Sequence, residues 1–99
     1  MKVYNMKNQK GKEIPNQFII EEEGHGANGN FIKKEVFQSY HSIIAERIFW
    51  EDRIDTTLDK NCWDYSTTTG KYRDLFLGES KKETDQKIKS GEYKLENLN

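Results

Sequence analysis

Up to about residue 60 the apolar positions come in short runs with a period of two; beyond it they take a helical spacing. Val3, Tyr4 and Met6 sit in a polar-flanked run, and Phe18 to Ile20 form the apolar centre of "QFIIEEE". Asn8, Gly11 and Pro15 between them are turn residues. The two runs predict a hairpin of strands over 2–7 and 17–23. "GHGANGN", with glycines at 24, 26 and 29, reads as the next loop. In "FIKKEVFQSY", Val36, Gln38 and Tyr40 point one way and Phe37 and Ser39 the other, which is the strand period. Residues 43–48 admit two readings. Ser42 could cap a short helix with Ile44 and Ile48 four apart, or the stretch is a strand that turns at "WED". The alternation of Ile54, Thr56 and Leu58 behind it favours two strands.

The stretch "YSTTTGKYRDLFLGE" changes period. Tyr72, Leu75 and Phe76 fall at i, i+3 and i+4, one face of a helix over 68–77. Thr67, Thr68 or Thr69 supplies the N-cap oxygen, and Gly78 stands where a C-terminal glycine belongs. Ser80 and Glu83 make the capping box of a second helix that stops at Gly91. Only Ile88 is clearly apolar in it, so it is expected to be mostly exposed. Tyr93, Leu95 and Leu98 alternate in a tail that packs back on the domain. The fold class is therefore α+β: one domain over 1–99, an antiparallel meander of four to five strands followed by two short C-terminal helices. The expected core is Phe18, Ile20, Val36, Ile44, Trp63, Tyr72, Leu75 and Phe76.

Composition narrows the function. Hydrophobic residues make up only 33%, low for a globular domain, so the core is thin and aromatics or a second copy must supply apolar area. A homodimer fits those numbers. A net charge of −1 argues against both a basic nucleic-acid binder and an acidic DNA mimic. The charge is uneven along the chain. Residues 1–20 carry four lysines against Glu13, and Glu21, Glu22 and Glu23 follow with no base. Alternating charge on solvated faces accounts for the rest. Cys62 is the single cysteine, which points to a reducing compartment. The N-terminus lacks an apolar signal region, and no apolar run approaches the ~20 residues of a membrane span. A cytoplasmic setting is expected.

No catalytic constellation emerges, and no cofactor or metal is expected. "STTTGK" lacks the upstream glycine of a phosphate loop, and Tyr72 stands where that loop needs a hydroxyl. A weaker reading survives: Thr67, Thr68, Thr69, Lys71 and Arg73 at a helix start could hold a phosphate or carboxylate. The plain alternative is an N-cap with a solvated lysine. His25, His41 and Cys62 are too few and too scattered for a metal site. Cys62 beside Trp63 reads as a small buried hydrophobe rather than a nucleophile. "FWED" is different: Phe49 and Trp50 at an apparent turn, flanked by Glu51 and Asp52, look like a surface anchor.

The pattern "NQFIIE…FQSYHSIIA…NCWDYSTTTGKYRDLFLGE" resembles a family of small uncharacterised proteins carried by phages and mobile elements of bacteria. The likeness is strongest over 61–79, and "RIFWEDRID" departs from the simple glycine-containing turn of that pattern. The resemblance implies a setting rather than an activity: a non-enzymatic protein in the host cytoplasm that binds and inhibits a host protein. An anti-CRISPR acting on a Cas nuclease is one form of this. Its partner surface would be Phe49, Trp50, Glu51, Asp52, Asp55 and Asp59 together with Glu21, Glu22 and Glu23, provided the acidic stretches share a face. The competing readings are a nucleotide, anion or nucleic-acid module at 67–73 and a self-assembling structural accessory protein.

Overall fold

The computed structural model describes residues 1–24 and 31–99; the glycine-rich stretch with His25 lies largely outside them. Strands β1 (Lys2–Lys7), β2 (Glu13–Glu23), β3 (Lys33–Ser39), β4 (Ser42–Phe49) and β5 (Ile54–Asp59) precede helices α1 (Thr67–Leu77) and α2 (Lys81–Ser90). A short β6 (Lys94–Glu96) closes the chain. Among the described residues the sheet has six strands, in the order β1-β2-β3-β4-β5-β6. The first five pair antiparallel, as the meander requires. The tail, expected only to pack, instead joins as a strand parallel to β5.

Tyr4, Ile19, Phe37, Ala45 and Leu58 stand opposite one another across five strands. Side chains alternate along a strand, so Val3, Ile20, Val36, Glu46 and Thr57 form the neighbouring row on the other face. The helices pack on the first face. Phe76 stacks on Phe37 with ring centroids 5.7 Å apart and planes at 29°. Met6, Ile14, Ile19, Phe37, Ile44, Ala45, Leu58, Phe76 and Leu77 make one buried cluster. Phe37 pairs with Ala45 while Gln38 pairs with Ile43, so Ile44 is the extra residue of a bulge. Ile44 and Ala45 are both fully buried.

The expected core is corrected in two places. Phe18, Ile20 and Val36 are only half-buried, on the face without helices. "FII" is apolar on both faces, so periodicity defines two sets without saying which one the helices cover. Leu75 is half exposed, at 50%. The buried positions of α1 are Thr69, Gly70, Arg73, Phe76 and Leu77. That stripe is rotated from the one that apolar residues suggest, because Thr69 and Arg73 are buried with polar partners. Ile44 and Phe76 are in the core, and Trp63 and Tyr72 pack against it half-buried.

The helix ends follow local chemistry. Ser66, not a threonine, caps α1: its side chain accepts from the Thr69 N–H at 3.1 Å. Gly78 ends the helix with φ 70°, a left-handed conformation that costs glycine little. The Ser80–Glu83 capping box of α2 is formed in both directions. Beyond α2 the tail is latched by the Leu98 N–H to Asp59 Oδ1 at 2.8 Å and by the Asn99 amide, which bonds both the N–H and the C=O of Ile43.

Candidate partner-binding surface

Glu23, Lys33, Phe49 and Ile54 are opposite one another across β2, β3, β4 and β5. The row marks one end of the sheet. Past it, Ile32 bonds to the Phe49 carbonyl at 2.8 Å, and the Trp50 N–H closes the β4–β5 turn on the Arg53 carbonyl at 2.8 Å. Antiparallel register thus brings two acidic segments, Glu22–Glu23 and Glu51–Asp52, to the same end. Glu22, Glu23, Glu51 and Asp52 are all exposed there. So are two large apolar residues, Ile32 at 44% and Ile54 at 56%.

The aromatic residues are held in place. The Lys33 ammonium and the Arg47 guanidinium lie 5.8 and 5.6 Å from the Phe49 ring centroid. Trp50 donates its Nε1–H to Asp55 Oδ2 at 2.8 Å, and the Arg53 guanidinium sits 4.9 Å from the centroid of its ring. Both rings are half-buried. An anchor fixed before binding loses little side-chain freedom when a partner arrives.

The remaining acids differ. Glu21 accepts from the Tyr4 hydroxyl and lies 3.8 Å from Lys33. Burial, with the Glu21 carboxylate beside it, pushes the Tyr4 pKa up to about 12, so the phenol stays a neutral donor. Asp55 is shared between Trp50 and Arg53, 3.4 Å from the latter. Asp59 is 1% exposed and does not belong to the surface. It accepts the N–H groups of Asn61, Cys62 and Leu98. Burial raises its pKa, but these bonds outweigh that and hold it below the usual value.

A family model matches residues 1–92. The chain belongs to DUF8033, a family of unknown function. No curated protein matches the chain, and no solved structure does. The matched span holds β1 to β5 and both helices, and so the whole acidic, aromatic end of the sheet; β6 and the tail latch lie beyond it.

In this DUF8033 member the helix start is built otherwise than an anion cradle needs. Thr67, Thr68 and Lys71 are exposed, but Thr69 is buried against the Ser39 hydroxyl at 3.1 Å. Arg73 is 1% exposed. It donates to the Trp63 carbonyl at 2.7 Å, Asp64 at 3.2 Å and Asp74 at 2.9 Å. Its guanidinium lies 5.2 Å from the Trp63 ring centroid. Burial raises the Asp64 pKa, but bonds from Lys81 and Arg73 outweigh it, so this carboxylate is held ionised. A cleft of about 690 Å³ opens here, but Asp64 and Asp74 stand in its wall and meet an anion with like charge. Arg73 clamps the 63–74 segment.

Chemistry is sparse elsewhere. Among the described residues no group of three or more His, Cys, Asp or Glu is placed to hold a metal, and no helix is long and apolar enough to cross a membrane. Burial and the neighbouring Asp59 carboxylate push the Cys62 thiol up, away from the thiolate that a nucleophile needs. Ile32 and Ile54 are the surface residues that sequence reasoning missed. Ile54 shares a face with Thr56 and Leu58 yet lies past the reach of the helices, and period two carries no sign of where cover ends.

Proposed function

We propose that this chain is a non-enzymatic binding protein that inhibits a host protein by presenting the acid-rimmed, apolar end of its sheet to a basic surface. One observation carries the reading: register gathers exposed Glu22, Glu23, Glu51 and Asp52 around Phe49, Trp50 and Ile54. An apolar centre with a charged rim is the anatomy of a protein interface, and the charge steers association.

The matching surface is the cationic channel with which a nuclease holds nucleic acid. The resemblance to phage and mobile-element proteins makes host defence nucleases, CRISPR effectors among them, the first class to test, in the host cytoplasm. The experiment is co-purification of the tagged chain with a panel of such effectors, followed by a DNA-cleavage assay on any complex. Expected is a complex that blocks cleavage, with association slowed by Glu51→Lys and Asp52→Lys, most at low salt. No complex with any effector removes the inhibitor reading. A complex indifferent to both reversals removes this surface.

A further inference from the structure

The sheet has a long free edge of opposite character. β1 is the outermost strand, so among the described residues one side of its backbone, over Lys2–Lys7, has no strand beside it. Edges of this kind accept further strands through their unpaired N–H and C=O groups. Val3 and Tyr4 are exposed at 59% and 41%. Lys2, Lys7, Lys10 and Lys12 are exposed, and residues 1–12 contain no acid. Among the described residues no ion pair engages these lysines or the exposed Lys71. At the acidic end, by contrast, Lys33, Lys34 and Arg53 are all paired. Past Lys7, a cleft of about 790 Å³ lies between the β1–β2 turn and α1. Its wall is mixed in charge, Lys10 and Lys71 against Glu13 and Asp74, over Ile14, Tyr72 and the half-exposed Leu75, so the unpaired lysines of β1 rather than this cleft set the character of the edge.

A second copy fits this edge poorly. Antiparallel β1–β1 pairing lays the unpaired Lys2 and Lys7 of both copies along one seam, where their like charges repel. An acidic strand removes that conflict. The pleat defines its pattern. On the helix side its residues meet Lys2 and Tyr4; on the other side they extend the apolar row of Val3, Ile20 and Val36 and meet Lys7 at the end of the strand.

We propose that β1 is the docking edge for an extended segment of a partner protein in which acidic and apolar residues alternate. The site is separate from the acidic end of the sheet, so either can fail without the other.

The test uses the full chain and the fluorescein-labelled peptide GEVEVDVEG, with GKVKVKVKG and a (dT)20 oligonucleotide as competitors. Expected are saturable anisotropy with the acidic peptide and slowed amide hydrogen exchange confined to residues 2–7. The double variant Lys2→Glu, Lys7→Glu should raise Kd about tenfold or more, since both sites are exposed and their charge is complementary to the peptide. Exchange on the unmodified chain keeps the result independent of how the variant folds. No binding at millimolar peptide, protection elsewhere than β1, an unchanged Kd in the folded variant, or stronger binding of the lysine peptide or the oligonucleotide each overturns the proposal.

Discussion

The indole Nε1–H of Trp50 donates to the carboxylate of Asp55 at 2.8 Å, tying the tip of the β4–β5 turn to the strand that leaves it. The ring is thereby fixed half in solvent, under the guanidinium of Arg53.

Trp50→Ala should therefore separate binding from folding. On the proposed binding role its loss should cost about 2 kcal/mol of affinity for a partner. It costs the fold only about 1 kcal/mol, for one hydrogen bond at a half-exposed site. Titration against the partner and urea denaturation read the two quantities. A variant that fails to fold would make Trp50 a structural residue and remove it from the interface.

Neighbouring positions of α1 should behave very differently. Leu75 is 50% exposed, and Leu75→Ala should cost under about 1 kcal/mol. Phe76 is 7% exposed and stacks on Phe37, so Phe76→Ala should cost about 3–5 kcal/mol. Equal losses in denaturant melts would contradict the orientation of the helix.

The cap makes a finer test. Ser66→Ala should destabilise by about 1 kcal/mol, because the Thr69 N–H loses its acceptor. Thr67→Ala and Thr68→Ala, at exposed sites, should shift stability by less than about 0.5 kcal/mol. A larger loss at either threonine than at Ser66 would return the cap to the threonines.

Glu79 sets a pH signature. Its carboxylate accepts from Thr84, from Lys87 at 2.8 Å and from the Tyr93 hydroxyl at 2.7 Å. Burial raises its pKa, but these bonds outweigh it and hold it below the ordinary 4.5. A depressed carboxylate stabilises fully above its unfolded value, and that stability fades as pH falls through the folded one. Burial and Glu79 push Tyr93 up to about 12, so its share is present below pH 10 and is lost toward pH 12. Glu79→Gln should thus weaken the fold between about pH 5 and 10, by a deficit that shrinks as the pH falls through the folded value of Glu79, read by denaturant midpoints across pH. A deficit that is the same at pH 3 and pH 7 would mean the charge of Glu79 contributes nothing.

Much of the order of elements was legible, and for local reasons. Gly78 and Gly91 end their helices, Ser80 and Glu83 box the second, and the alternation of Ile54, Thr56 and Leu58 made 43–58 a strand pair. Such features act within a few residues and are written there. Of the candidate site, Phe49, Trp50, Glu51 and Asp52 could be named because a turn with paired aromatics and acids is itself local. The burial of Asp59 is not legible locally, since its carboxylate accepts from the N–H of Leu98, far along the chain. Along the chain Arg73 reads as one of several anion-binding candidates, since only the folded loop brings Asp64 and the Trp63 carbonyl against it.

What could be read along the chain was the order of five strands and two helices, a meander followed by a helix pair, and the glycines at which both helices stop. Tertiary structure decided which face of "FII" is inside, that the tail adds a parallel strand, and that Glu22–Glu23 and Glu51–Asp52 meet at one end of the sheet. The reason is the reach of the forces involved. Caps and turn preferences are satisfied within a few residues, whereas burial and register are settled by what packs against each strand from elsewhere in the chain.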